Sequence, residues 1–169
     1  IDDLSEIQKT GTNDQKEEAK YWKALCKWKK GSVSAALDEL NNLLENSKSR
    51  DIKSKCYLSL AEIAQESKDL DMALSHLKNA ANLANNRNEK GVIYGRLSEM
   101  AFNQKNYELA RTGYENVISH SLSKEKIEKA HLQILKILRM EKQYRSAQKK
   151  IKSMLLDDKF SRISGNLEL

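Results

Sequence analysis

Four alanines, Ala36, Ala73, Ala110 and Ala147, stand 37 residues apart without drift. A fixed period of this size marks a stacked repeat, in which one unit cannot bury its apolar face alone and its neighbours complete the core. The ladder restricts the fold more than any other feature of the chain. It also bears on function, because a repeat array is a surface for holding something and not a catalyst.

Each alanine sits in the same surroundings. Upstream lie Tyr57, Leu60, Ala61 and Ala64 in the second unit, and Tyr94, Leu97, Ser98 and Ala101 in the third. The fourth has His131, Ile134, Leu135 and Leu138. These are i, i+3, i+4, i+7 sets, the stripe of an amphipathic helix. Downstream come Leu40 and Leu43, Leu77 and Ala80, Tyr114 and Val117, and Ile151 and Met154, again at helical spacing. Each unit is therefore two helices, A then B.

The turns between A and B are short and polar: Lys30-Gly31-Ser32, Ser67-Lys68-Asp69, Lys105-Asn106 and Lys142-Gln143. Alanine near the start of each B helix fits a close approach to helix A, where a larger side chain would overpack at about 1–3 kcal/mol. Tyr107 and Tyr144 follow their turns at the same register and are expected to pack where each hairpin closes. Composition agrees with an all-α protein. Charged residues make up 32%, hydrophobic ones 39%, and proline is absent, so nothing interrupts the helices. No apolar run is long enough to span a membrane, and no charged-then-apolar leader is found.

At this register the chain resembles a tetratricopeptide repeat (TPR) array. Tyr57, Leu60, Ala61, Ala73, Leu77 and Ala80 match the family pattern, as do Tyr94, Leu97, Tyr107, Ala110 and Tyr114. The likeness covers about residues 17–157, as units 17–53, 54–90, 91–127 and 128–160. Residues 1–16 fit the end of a preceding repeat and its turn, and 161–169 the start of a truncated fifth. The resemblance implies a right-handed α-α superhelix, a solenoid of helical hairpins. Three departures accompany it. The period is 37 and not 34, with the extra residues expected around Asn82–Glu89. The unit-ending proline is missing. Leu135 replaces a small residue, which would splay the fourth hairpin.

Both ends of the pattern look cut. Ile1, Leu4 and Ile7 fit a preceding helix B followed by a polar turn over Thr10–Asp14, and Phe160–Leu169 fit the opening of another helix A. An excised piece of a longer protein is expected, with any targeting sequence outside it and with self-association possible through the open repeat ends. The Lys/Asn/Ser-rich, proline-free texture is similar to TPR segments of bacterial envelope lipoproteins. Periplasm or envelope and cytoplasm both stay open as locations.

No catalytic constellation stands out. His131 falls at a large-residue position of helix A, and His76 and His120 lie on B helices without metal-ligand spacing. The six glycines form no phosphate loop, and no serine sits in a nucleophile turn. Asp157-Asp158 fits a solvated loop. Cys26 and Cys56, 30 residues apart, fit free thiols packed in helices. No enzymatic activity, cofactor or metal is expected, nor a small-molecule substrate.

By the resemblance, certain helix A positions line the inner wall of the superhelix and hold a protein or peptide partner. The fifth positions are Tyr21, Leu58, Gly95 and Leu132, and the ninth are Leu25, Glu62, Glu99 and Lys136. The twelfth are Trp28, Gln65, Phe102 and Arg139. This implies aromatic anchors in the first unit, acidic residues in the middle and a basic end. Trp28 and Phe102 suit groove anchors or, alternatively, packing against a neighbouring helix B. The lysine and asparagine clamp of chaperone-tail receptors is not matched: its places read Tyr21, Leu25, Ser59, Val92 and Arg96, and only Arg96 suits an anion.

Charge is uneven. Residues 1–120 hold 18 Lys+Arg against 18 Asp+Glu, whereas 121–160 hold 11 against 5, so the net +6 comes from the fourth repeat. Lys142, Arg145, Lys149, Lys150 and Lys152 form a basic patch suited to a solvated face, or to nucleic acid, anionic lipid or an acidic partner. The base-reading pattern of helical-repeat RNA binders is missing. The leading expectation is an assembly scaffold or adaptor, with nucleic-acid or anionic-surface binding as the alternative.

Overall fold

The computed structural model describes residue 7 and residues 9–156, and within these the chain is all-α. The A helices are α1 (Asn13–Lys29), α3 (Arg50–Glu66), α5 (Arg87–Asn103) and α7 (Lys124–Met140). The B helices are α2 (Val33–Asn46), α4 (Leu70–Leu83), α6 (Tyr107–His120) and α8 (Tyr144–Leu155). Every A helix has 17 residues, and α2, α4 and α6 have 14 each. Each A helix starts 37 residues after the last, and so does each B helix. The period seen in the alanines is thus the period of the backbone.

Side-chain caps mark that phase at the starts of α1, α3, α4, α6 and α7. Thr12 and Gln15 close a capping box on α1, and Ser49 and Ser123 accept the backbone N–H of Ile52 and Lys126. Asp69 and Asn106 do the same for Met72 and Leu109 at the B helices. Each occupies donors that the first turn leaves open. The A helices begin at Asn13, Arg50, Arg87 and Lys124, four residues before the unit starts read from the stripes. Asn13 and Asp14, expected in a polar turn, already belong to α1. The stretch Asn82–Glu89, where the extra residues were expected, is divided between helix ends and a short link. Asn82 and Leu83 end α4, Arg87–Glu89 open α5, and only 84–86 lie between.

The A-to-B turns share one geometry. Gly31, Lys68, Lys105 and Lys142 take φ of 86°, 64°, 61° and 58°. Around Lys105, its own N–H reaches the Phe102 carbonyl and the Asn106 N–H reaches that of Ala101, both at 2.9 Å. The other three turns repeat this pair of bonds. It is the Schellman arrangement, which satisfies the last carbonyls of a helix and needs a left-handed residue. One turn uses glycine there and three use lysine.

The chain divides into two compact units, Ile1–Asn86 and Arg87–Leu169. In the first, Ala24 and Trp28 of α1, Ala36 and Leu40 of α2, and Cys56 and Leu60 of α3 share one core. In the second, Ile93 and Leu97 of α5, Ala110 and Tyr114 of α6, Ile137 of α7 and Ala147 of α8 are buried. The four ladder alanines are at most 1% exposed, as close helix crossings require. A second ladder, Ala19, Cys56, Ile93 and Ala130, is buried in the A helices at the same period.

Tyr107 is half-buried, its ring 5.8 Å from that of Phe102, but Tyr144 is 59% exposed. The expectation that both tyrosines pack at a hairpin closure holds only for Tyr107. Ile7 is helical and exposed. Ile1, Leu4, Asp157-Asp158 and Phe160–Leu169, read as cut repeats or loop, lie outside the described residues.

Candidate functional site

The expected groove residues fall into different environments. Tyr21 and Trp28 are core, 8% and 6% exposed. The Tyr21 hydroxyl pairs with the Ser59 hydroxyl at 3.1 Å, and Trp28 Nε1 donates to Glu66 Oε2 at 3.0 Å. Both side chains fasten α1 to α3. An anchor for a partner must be open, so these two serve the fold instead. Burial pushes the Tyr21 hydroxyl pKa up, with the Ser59 bond opposing, and the ring is a neutral hydrogen-bonding group at ordinary pH. Lys55 joins the same pair of helices through Glu18, 3.1 Å away. Leu25 packs half-buried on that core, and Leu58 and Glu62 are half-buried on α3.

In the second unit the same register leaves a hollow. Position 95 is glycine, and a Cβ built there would meet only Val117 Cγ2 at 3.9 Å. A cavity of about 220 Å³ opens above it. Gly91, Val92, Tyr114, Val117 and Ala130 give it apolar walls, and Arg96, Glu99, Lys126 and Lys129 form its rim. Lys129 Nζ reaches Glu99 Oε1 at 3.1 Å, linking α7 to α5. Further along, Lys136 Nζ stands 5.0 Å from the centre of the Phe102 ring, a cation over an aromatic face. The Tyr114 hydroxyl is pushed up to about 12, first by burial and then by Glu99. It remains a neutral donor throughout the physiological range. Leu132 is half-buried and Arg139 exposed on α7.

Of the expected wall, Arg96, Glu99 and the Gly95 position come together in this hollow. Lys126 and Lys129 at its rim were not read from the sequence as groove residues. The available signal was Gly95 itself, a residue without a side chain where Tyr21, Leu58 and Leu132 stand in the other units.

The two glycines of the hollow differ in kind. A Cβ on Gly91 would lie 2.8 Å from the Ser121 backbone nitrogen, so close packing demands glycine there. Nothing in the packing demands it at position 95.

The basic patch is divided. Arg145, Lys149 and Lys152 are exposed on one face of α8, and Lys142 is exposed in the preceding turn. Lys150 turns toward the buried side, and burial lowers its pKa while Glu115 opposes the shift. Lys149 and Lys150 line a cavity of about 500 Å³ shared with Glu108, Arg111 and Glu115 of α6 and Leu138 of α7.

His76 is half-buried, its ring 5.8 Å from Tyr57, and burial lowers its pKa with Asp69 opposing. His131 is half-buried on α7. Cys26 and Cys56 are free thiols, and Cys56 is pushed up to about 12, first by burial and then by Glu17 and Glu18. Such a thiol is inert. Among the described residues, no group of three or more His, Cys, Asp or Glu is placed to hold a metal ion, and no helix is long and apolar enough to cross a membrane. No protein-family model matches the chain, and no curated protein matches it significantly.

Proposed function

We propose that the chain is a tetratricopeptide-type scaffold that holds a peptide or helix of another protein in the groove between α5 and α7, as part of a larger assembly. The hollow over Gly95 carries this reading: apolar walls, a rim with Arg96, Lys126 and Lys129 against Glu99, and a floor left open by the missing side chain. Apolar pockets edged by a few polar groups are what peptide anchors occupy. Selection of binders from a random peptide library, followed by hydrogen exchange on the complex, tests it. Protection is expected along α5 and α7. Binders that protect α8 alone, or no binders at all, would remove the groove.

A second reading is favoured by one observation, the exposed face of Arg145, Lys149 and Lys152 on α8. Phosphate-rich surfaces bind such faces with an affinity that falls steeply with salt. Binding to nonspecific DNA or RNA that disappears in Arg145→Glu with Lys149→Glu would support it. No shift at low salt would end it.

A further inference from the structure

We infer that the hollow at Gly95 takes one aromatic side chain from an acidic segment of the partner. The inference rests on the groove reading above and names what fills it. Its template is inside the molecule. Positions 21 and 95 are equivalent in α1 and α5, and the helices that face them, α3 and α7, are offset by the same two periods. In the first unit that position sends the Tyr21 ring toward α3, where it is buried and bonded to Ser59. In the second unit the ring is missing and about 220 Å³ remains.

Size limits the guest. A cavity of roughly 150 Å³ is enough to hold benzene, so the hollow accepts one ring and not a bulky segment. Glycine in a helix interior disfavours the helix. At Gly91 close packing explains that choice, but at Gly95 there is room for a side chain. The rim sets the flanking chemistry. Arg96, Lys126 and Lys129 outweigh Glu99, which is itself paired with Lys129. Aspartates and glutamates on either side of the ring would meet those cations, while a basic segment would be repelled.

The test uses the whole chain and short fluorescein-labelled peptides of Asp, Glu and Ser with a single central Tyr, or Ala in its place. Fluorescence anisotropy is expected to show the Tyr peptide binding about tenfold tighter or more, the scale of one well-buried aromatic anchor. Replacing Asp and Glu by Lys should weaken binding by a similar factor. Gly95→Tyr, which fills the hollow from within, should reduce the Tyr peptide to the affinity of the Ala peptide without lowering the urea midpoint. Gly95→Ala should lose part of the preference, and serves if the tyrosine variant misfolds.

Equal binding of the Tyr and Ala peptides, with protection still along α5 and α7, overturns the aromatic guest and leaves the groove. Equal binding of acidic and basic peptides overturns the charge assignment. Failure of every peptide to bind overturns the inference, and the library selection then decides the groove by itself. Trp22, 48% exposed, is one aromatic side chain that a second copy of the chain would offer to the site. Self-association that Gly95→Tyr and Trp22→Ala each abolish would assign the hollow to a second copy and overturn the inference.

Discussion

The hairpins α5–α6 and α7–α8 are built on one register and packed to different depths. In α5–α6 the crossing is made by Ser98 and Gly113. A Cβ on Gly113 would come within 3.2 Å of Leu97 Cδ2 and 3.3 Å of Ser98 Cβ. The same two positions in α7–α8 hold Leu135 and Lys150. There the helices pack less extensively, Tyr144 stays out in solvent, and a cavity of about 500 Å³ separates α8 from α6. A period therefore fixes where helices start and which faces meet. How closely they meet is decided by the volume of two side chains.

The strongest way to break this contrast is to give the closed hairpin the bulk of the open one. Gly113→Leu is expected to destabilise the chain by about 1–3 kcal/mol through overpacking. That cost should outweigh the gain of up to about 1 kcal/mol from replacing a mid-helix glycine. Urea unfolding followed by circular dichroism reads the difference. A variant as stable as the parent would mean that the crossing has room and that the two hairpins do not differ in depth.

This contrast was only partly legible in the sequence. Leu135 stood out as too large for its register, because volume at a repeated position can be compared from unit to unit. Tyr144 misled for the complementary reason. Its place after the turn matches Tyr107, but Tyr107 has Phe102 to pack on, whereas the equivalent position in the fourth unit is Arg139. Tyr21 and Trp28 lie beside the helical stripe, which suits a groove wall. Their burial comes from α3 closing over them through Ser59 and Glu66, partners 38 residues away that no local pattern reveals. The hollow at Gly95 was hidden for the same reason: a missing side chain becomes a site only against the α6 and α7 residues around it. Helix phase, by contrast, was within reach, since Thr12, Ser49 and Ser123 carry cap chemistry at the repeat spacing.

The turns offer a finer comparison. Lys105 and Lys142 hold φ of 61° and 58°, a region that costs an L-residue about 1–2 kcal/mol. Gly31 fills the same place at φ 86° with nothing within 4 Å of an added Cβ. Lys105→Gly is expected to stabilise by about 1 kcal/mol, a gain visible in the global urea midpoint because α5 and α6 are closely packed. Lys142→Gly should add a similar amount locally. There it should appear as slower amide exchange in α8, with a smaller change in global unfolding. Equal global gains would show α8 to be as firmly attached as α6.

The smallest expected effect concerns the lysine at the open crossing. Burial lowers the Lys150 pKa from 10.5, with Glu115 opposing, so the folded chain holds this proton less tightly than the unfolded one. The penalty for carrying the charge into the fold is complete at neutral pH, below the folded pKa. It fades as pH rises through that value and is gone above about 10.5, where both states are neutral. Lys150→Met keeps the length and removes the charge. It should raise the unfolding free energy at pH 7, read by urea denaturation, by up to about 0.5 kcal/mol, the scale of partly exposed sites, and the gain should shrink as the pH approaches 11. A loss of stability at pH 7 would reverse the assignment. The Glu115 attraction would then exceed the burial cost, and the gap beside α8 would be a place where Lys150 holds α8 to α6.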